Sequence, residues 1–160
     1  MRILQGGYII RRVDTAAING VAALHKSAFR HGWEADEFAL YAEDPGMRLL
    51  GAFQSGTSDP VAFLLVRVVA DEAEVLSLAV GARHRRCGLG EGLMDAVIDE
   101  LLEQGIVQLH LEVDETNKPA VALYEKLGFE IVGERRAYYA QGEGKPANGA
   151  LQMTLDLVDE

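Results

Sequence analysis

The sequence predicts an α/β fold: a mixed, mainly antiparallel sheet with a central parallel crossover and helices on both faces. Three observations predict it. Strand-like and helical patterns alternate along all 160 residues without an internal repeat or a low-complexity tract. Segments 48–53, 61–69 and 73–80 are strand-like, with a polar turn at 54–60, which describes an antiparallel meander. Segment 73–80, a helix opening at Leu89 and a strand at 107–113 follow one another, and such a crossover is parallel and right-handed.

The elements follow in order. Ile18, Val21, Ala22, Leu24 and Ala28 recur at helical spacing over 18–29, and a second short helix is expected over 34–41. After the meander, Leu89, Leu93, Val97 and Leu101, flanked by Met94 and Ile98, mark an amphipathic helix that Gly105 ends. Segment 107–113 alternates strictly, with Val107, Leu109, Leu111 and Val113 on one face and Gln108, His110 and Glu112 on the other. Pro119 suits the first turn of a short helix and Gly128 its stop. Segments 129–132 and 150–157 complete the strands, the latter alternating Leu151, Met153, Leu155 and Leu157. The length fits one domain spanning 1–160.

Composition narrows the function classes. Apolar residues make up 49% and charged residues 25%, ordinary values for a globular chain, and no apolar run is long enough to span a bilayer. Residues 1–12 lack the pattern of a signal peptide. The single cysteine, Cys87, forms no internal disulfide and no cysteine-based metal site, so a reducing, cytoplasmic setting is expected. His25, His31, His84 and His110 show no metal-ligand spacing. The net charge of −10 repels phosphate backbones and argues against nucleic acid as a partner. Arg83, Arg85 and Arg86 nevertheless crowd into four residues. They are either a solvated run or the rim of a local anion site.

The turn 85–92 favours the second reading, with a tight strand-to-helix turn that the glycines simply permit as the alternative. Gly88 and Gly90 let backbone N–H groups face a common concavity at a helix N-terminus, where the dipole favours an anion. A pyrophosphate fits such a turn. The dinucleotide fingerprint does not match, since Leu93 stands at its third glycine, and no Gly-Lys-Ser/Thr follows for a P-loop.

These residues carry a resemblance. Arg85-x-x-Gly88-x-Gly90 after a strand ending Leu78-Ala79-Val80 resembles the acetyl-CoA motif of GCN5-related N-acetyltransferases. The likeness continues through Leu111-Glu112-Val113, Asn117, Ala122-Leu123-Tyr124, Gly128-Phe129 and Gly133-x-Arg135-Arg136-x-Tyr138-Tyr139. Within that superfamily it is most similar to the RimI type, which acetylates the N-terminal alanine of a ribosomal protein. Phe29 with Trp33 fits the same type. Asp114 and Asn148-Gly149 depart from its pattern, which bears on the accepted peptide rather than on acetyl-CoA.

The resemblance implies the family fold, acetyl-CoA as cosubstrate, no metal, and direct acetyl transfer to a primary amine. The implied acceptor is a protein N-terminus, possible ribosomal proteins included. Acetylation of a small amine and a non-catalytic acetyl-CoA-binding module are the alternatives. Leu78, Ala79 and Val80 would hold pantetheine by strand-like hydrogen bonds, and Arg85, Arg86, Cys87, Gly88, Leu89, Gly90 and Glu91 would surround the pyrophosphate. A backbone N–H near Val80, where the strand is expected to bulge, would meet the developing oxyanion.

Glu112 is expected as the base, in a buried apolar setting beside His110; an exposed strand Glu is the alternative. Tyr124 shares a helical stripe with Ala120, Leu123 and Leu127, which reads as a core aromatic. The resemblance places its hydroxyl at the CoA sulfur instead. Asn117 is a helix cap, a pantetheine ligand or both. Trp33, Tyr138 and Tyr139 would line a peptide groove or pack at its rim. Cys87 with His84 suggests a nucleophile pair, which its place in the phosphate turn argues against.

Overall fold

The structure, a computed structural model, describes residues 1–29, 32–136 and 149–158. Tyr138 and Tyr139, and Asn148 with them, lie outside the described residues. Among the described residues eight strands form one sheet in the order β1-β2-β3-β4-β5-β6-β8-β7. The strands are β1 (Arg2–Ile3), β2 (Tyr8–Arg12), β3 (Met47–Gln54), β4 (Pro60–Val69), β5 (Glu72–Val80), β6 (Gln108–Asp114), β7 (Glu130–Arg135) and β8 (Ala150–Asp156). Among the described residues four α-helices cover it: α1 (Ile18–Ala28), α2 (Ala35–Glu43), α3 (Leu89–Glu103) and α4 (Lys118–Lys126). None of these is long and apolar enough to cross a membrane.

The expected mixed sheet is present. All neighbours are antiparallel except β5 and β6. The N-terminal hairpin β1–β2 was not among the expected strands. It turns at Gly6 and Gly7, both at φ near +80°, which glycine adopts without steric cost. Its two-residue first strand is too short to show alternation, so only the glycine pair signals it.

The two helical layers bury different stripes of the sheet. Leu89, Leu93, Met94, Val97 and Leu101 of α3, with Tyr124 of α4, pack on Leu64, Val66, Leu109, Leu111 and Met153. Ile18, Val21 and Ala22 of α1 and Phe38 of α2 pack on Leu49, Phe63 and Leu65 from the other side. That second layer has its main sheet contacts with β3, β4 and β5. The corresponding face of β6, β8 and β7 therefore stays uncovered by α1 and α2.

The feature that makes the site is a fork. β5 and β6 pair only at Glu72–Gln108, Ala73–Leu109 and Glu74–His110. Beyond that, β5 pairs only with β4 and β6 only with β8. The cause lies in β5. Opposite β4 the register moves from Val66–Val75 to Leu65–Ser77, so Leu76 is an extra residue. Side-chain parity flips with it: Ala73 and Val75 face the α3 layer before it, Leu78 and Val80 after it, and Leu76 and Ala79 face α1. A bulge bends its strand and adds local twist, and here it turns β5 away from β6. The bulge was expected near Val80; it lies four residues earlier, level with Glu112 across the gap.

Candidate active site

A cleft of about 740 Å³ opens where β5 and β6 part, within the range of small-molecule sites. Four segments and the Phe29 side chain wall it: β5 from Val75 to Val80, the turn into α3, the end of β6, and the first turns of α4 are the segments. Both strand edges present unpaired main chain to the gap, so an extended amide-bearing ligand could bridge them as a missing strand.

The turn is built as an anion cradle. Gly88 sits at φ +77° as the cap residue of α3 and supplies no side-chain cap. The first-turn N–H groups of α3 are therefore available to a ligand, at the positive end of the helix. A Cβ on Gly88 would meet nothing within 4 Å, so the space beside it is open. Arg86 holds a left-handed φ of +64°, which a bulky residue rarely adopts and which accords with a functional turn. Arg85 and Arg86 line the cleft, and neither has an acidic partner among the described residues. Glu91 turns its carboxylate to Lys126 at 3.0 Å and adds no uncompensated negative charge there. Gly90 faces inward, where a Cβ would touch Leu123 at 3.4 Å.

Leu78, Val80, Leu89 and Asn117 also line the cleft. The side chains of Ala79 and Cys87 do not. Ala79 is buried under α1, because only every second residue after the bulge faces the cleft. Cys87 is exposed, with Sγ 3.8 Å from the Tyr8 hydroxyl. His84 Nδ1 shares a 2.9 Å hydrogen bond with that same hydroxyl, so His84 is engaged by Tyr8 rather than poised on Cys87. Asn117 caps α4, its Oδ1 accepting from the Ala120 N–H at 3.3 Å.

Glu112 corrects the expected burial. It is exposed on the uncovered face of β6, its carboxylate paired with Arg135 at 2.8 Å. The helices that would have buried it stop at β5. His110 does not assist it, because its ring is held between Thr154 Oγ1 and Glu72 Oε1, both at 2.8 Å.

Tyr124 is 7% exposed and meets Phe129 edge-on at 5.6 Å between centroids. It satisfies the core reading and lines the cleft as well. Burial pushes its hydroxyl up to about 12, so the phenol keeps its proton at any working pH.

Trp33 lies outside the cleft wall, in an aromatic cluster around His25. The His25 ring stacks on Trp33 at 4.5 Å and lies 4.5 Å from Phe29, whose side chain reaches the cleft. His25 Nδ1 accepts the Trp33 backbone N–H at 2.9 Å. Burial lowers the His25 pKa from 6.5, with Glu37 opposing weakly. A buried neutral His stabilises the fold fully above that ordinary value and loses its contribution as pH falls below it. His25→Phe, which keeps the stack but orphans the Trp33 N–H, should cost about 1–3 kcal/mol at pH 7.5. The difference from wild type should narrow towards pH 5.5 in thermal melts, because only the wild type must protonate or strain there. A difference independent of pH would show that the fold leaves the His25 pKa at its ordinary value, and one that widens towards pH 5.5 would show that His25 is charged in the fold.

Sequence reasoning missed Ser77, whose buried Oγ has no partner among the described residues, and gave Arg135 and Gln152 no role. Ser77 is signalled only by the bulge, which no sequence pattern announced.

The geometry agrees with known proteins. The chain is 37% identical to the [ribosomal protein bS18]-alanine N-acetyltransferase of Escherichia coli (strain K12) over 136 residues, 85% of this chain and 90% of that one. It is 41% identical over 73 residues to an N-alpha-acetyltransferase of Sulfurisphaera tokodaii, covering 45% and 44% of the two chains. The crystal structure of the Escherichia coli ribosomal-protein-S18-alanine N-acetyltransferase superposes with a TM-score of 0.82 at 31% identity, covering 96% of each chain. Ard1 from Thermoplasma volcanium gives 0.80 at 25% identity, over 96% and 99%. The acetyltransferase (GNAT) family matches over residues 18–129. With that match over most of its length and relatives above 30% identity, the chain belongs to the acetyltransferase (GNAT) family.

Proposed function

We propose that this protein transfers the acetyl group of acetyl-CoA to the α-amine of a protein N-terminus, with an alanine-first, ribosomal-type N-terminus as the favoured acceptor. One observation carries the reading: the β5–β6 fork brings an uncapped anion cradle, two free strand edges and the Glu112 carboxylate into one cleft. The names of the relatives support the acceptor class.

Acetyl-CoA supplies the activated thioester. The chain supplies the rest. The α3 N-terminus, with Arg85 and Arg86, would hold the pyrophosphate. The free edge of β5 at Leu78 and Val80, with Asn117 opposite, would hold the pantetheine amides. Glu112 takes the proton that the acceptor ammonium must lose, so the nitrogen lone pair can form the C–N bond as the C–S bond breaks. An α-amine suits this base, because its pKa of about 8 makes the neutral form cheaper than for a lysine at about 10.4. A β5 backbone N–H at the bulge, level with Glu112 by register, would meet the oxygen that gains charge.

Tyr124 faces the leaving sulfur. A phenol at about 12 is a poor source of a whole proton for a thiolate near 8.5, about 5 kcal/mol uphill. Its larger contribution is a hydrogen bond that stabilises the departing thiolate, which then takes its proton from solvent.

Acetylation of synthetic peptides with radiolabelled acetyl-CoA tests the acceptor. Peptides beginning with Ala and followed by basic residues should be acetylated, with KM rising as salt screens the acidic surface. Acetylation of free small amines but not of these peptides would move the protein to small-molecule chemistry. Binding of acetyl-CoA with no transfer to any amine would make it a binding module.

A further inference from the structure

Glu112, Gln152 and Gly133 form a row across three strands. The registers pair Glu112 on β6 with Gln152 on β8, and Gln152 with Gly133 on β7. The β7–β8 register slips between Ile131 and Gly133, leaving Val132 as the extra residue and setting Gly133 beside Gln152. A Cβ at position 133 would stand 2.5 Å from Gln152 Oε1. Glycine is thus what lets the Gln152 amide lie across β7. Its Nε2 then donates to Glu112 Oε1 at 3.4 Å. Two residues beyond Gly133, Arg135 reaches the same oxygen at 2.8 Å. Two donors therefore converge on Oε1, while Oε2 engages no group among the described residues.

We propose that Arg135 is the positioning residue of the base: with Gln152 it fixes one oxygen of Glu112 and presents the other to the acceptor amine. This rests on Glu112 as the base. The carboxylate needs such fixing because it stands exposed at a strand position whose face carries no helix among the described residues, where an unclamped side chain samples several rotamers. Two donors on a single oxygen hold the plane of the group as well as its position, which is what directed proton transfer requires. The Gly133-x-Arg135 spacing follows from this geometry, since residues two apart on β7 share a face.

An exposed ion pair adds little to stability, so the test can separate function from folding. Arg135→Gln and Arg135→Lys would be assayed for kcat, for both KM values and for melting temperature, each in the wild-type and Glu112→Gln backgrounds. Arg135→Gln should lower kcat about tenfold, with the KM for acetyl-CoA and the melting temperature unchanged, and Arg135→Lys should recover most of the loss. In the Glu112→Gln background, Arg135→Gln should cause no further loss, because it acts through that carboxylate. Full turnover in Arg135→Gln would overturn the proposal. So would an equal loss in both backgrounds, which would identify Arg135 as a contact of the acceptor itself. Wild-type turnover in Glu112→Gln alone would remove the base, and the positioning role with it.

Discussion

Gly88→Asp should lower the affinity for acetyl-CoA by about 100-fold or more, read by titration calorimetry. The site is chosen so that the loss is electrostatic. Asp is among the few residues that tolerate a left-handed φ, and the space around the new Cβ is empty, so the turn itself should survive. A carboxylate about 4 Å from a phosphate charge costs about 4 kcal/mol at the effective dielectric of a protein surface, close to a thousandfold before solvent relaxes. It would also compete for the first-turn N–H groups of α3, since Asp is a good cap and Gly88 offers none. Gly88→Asn keeps the shape and the capping ability without the charge. Its affinity should fall only severalfold, and both variants should melt near the wild-type temperature. Unchanged affinity in Gly88→Asp would place the pyrophosphate elsewhere.

The cradle was legible in the sequence because its parts are contiguous. Arg85, Arg86, Gly88 and Gly90 belong to one turn, and a strand before it and a helix after it determine how that turn is used. The fork was legible only as a crossover. Its depth depends on the extra residue at Leu76, and a bulge in an apolar strand leaves no mark, because Leu76 and Ser77 are both ordinary strand residues. The setting of Glu112 was misjudged for a related reason. Alternation in β6 gives which residues share a face, but not whether a helix covers that face. Only the topology shows that α1 and α2 end at β5. The clamp on Glu112 draws on three strands joined by registers 19 and 40 residues apart in sequence, and Gly133 and Arg135 appear in the sequence only as motif letters.

Glu112→Gln should lower kcat by about 10²–10⁴-fold and Tyr124→Phe by about 10²–10³-fold, both with acetyl-CoA affinity retained. The two losses should differ in their pH dependence. With Gln at 112 no group takes the ammonium proton, so the residual rate should climb with pH as the α-amine deprotonates in solution near pH 8. The deficit against wild type is then largest at low pH. Tyr124 is different, because burial holds its proton up to about 12 and the donor is present throughout. Its deficit should be flat from pH 6 to 9. Phe fills the same volume against Phe129, and the lost hydroxyl donates to no group among the described residues, so Tyr124→Phe should melt at or above the wild-type temperature. A core aromatic predicts near-normal turnover with that same stability; a donor at the sulfur predicts a stable protein that turns over slowly. Replacing the thioester by one with a more acidic leaving thiol should shrink the Tyr124→Phe deficit, because a better leaving group needs less hydrogen bonding, and should leave the Glu112→Gln deficit untouched. If a well-folded Tyr124→Phe turns over at the wild-type rate with the natural thioester, the phenol is packing alone, and the thiolate departs without help from it.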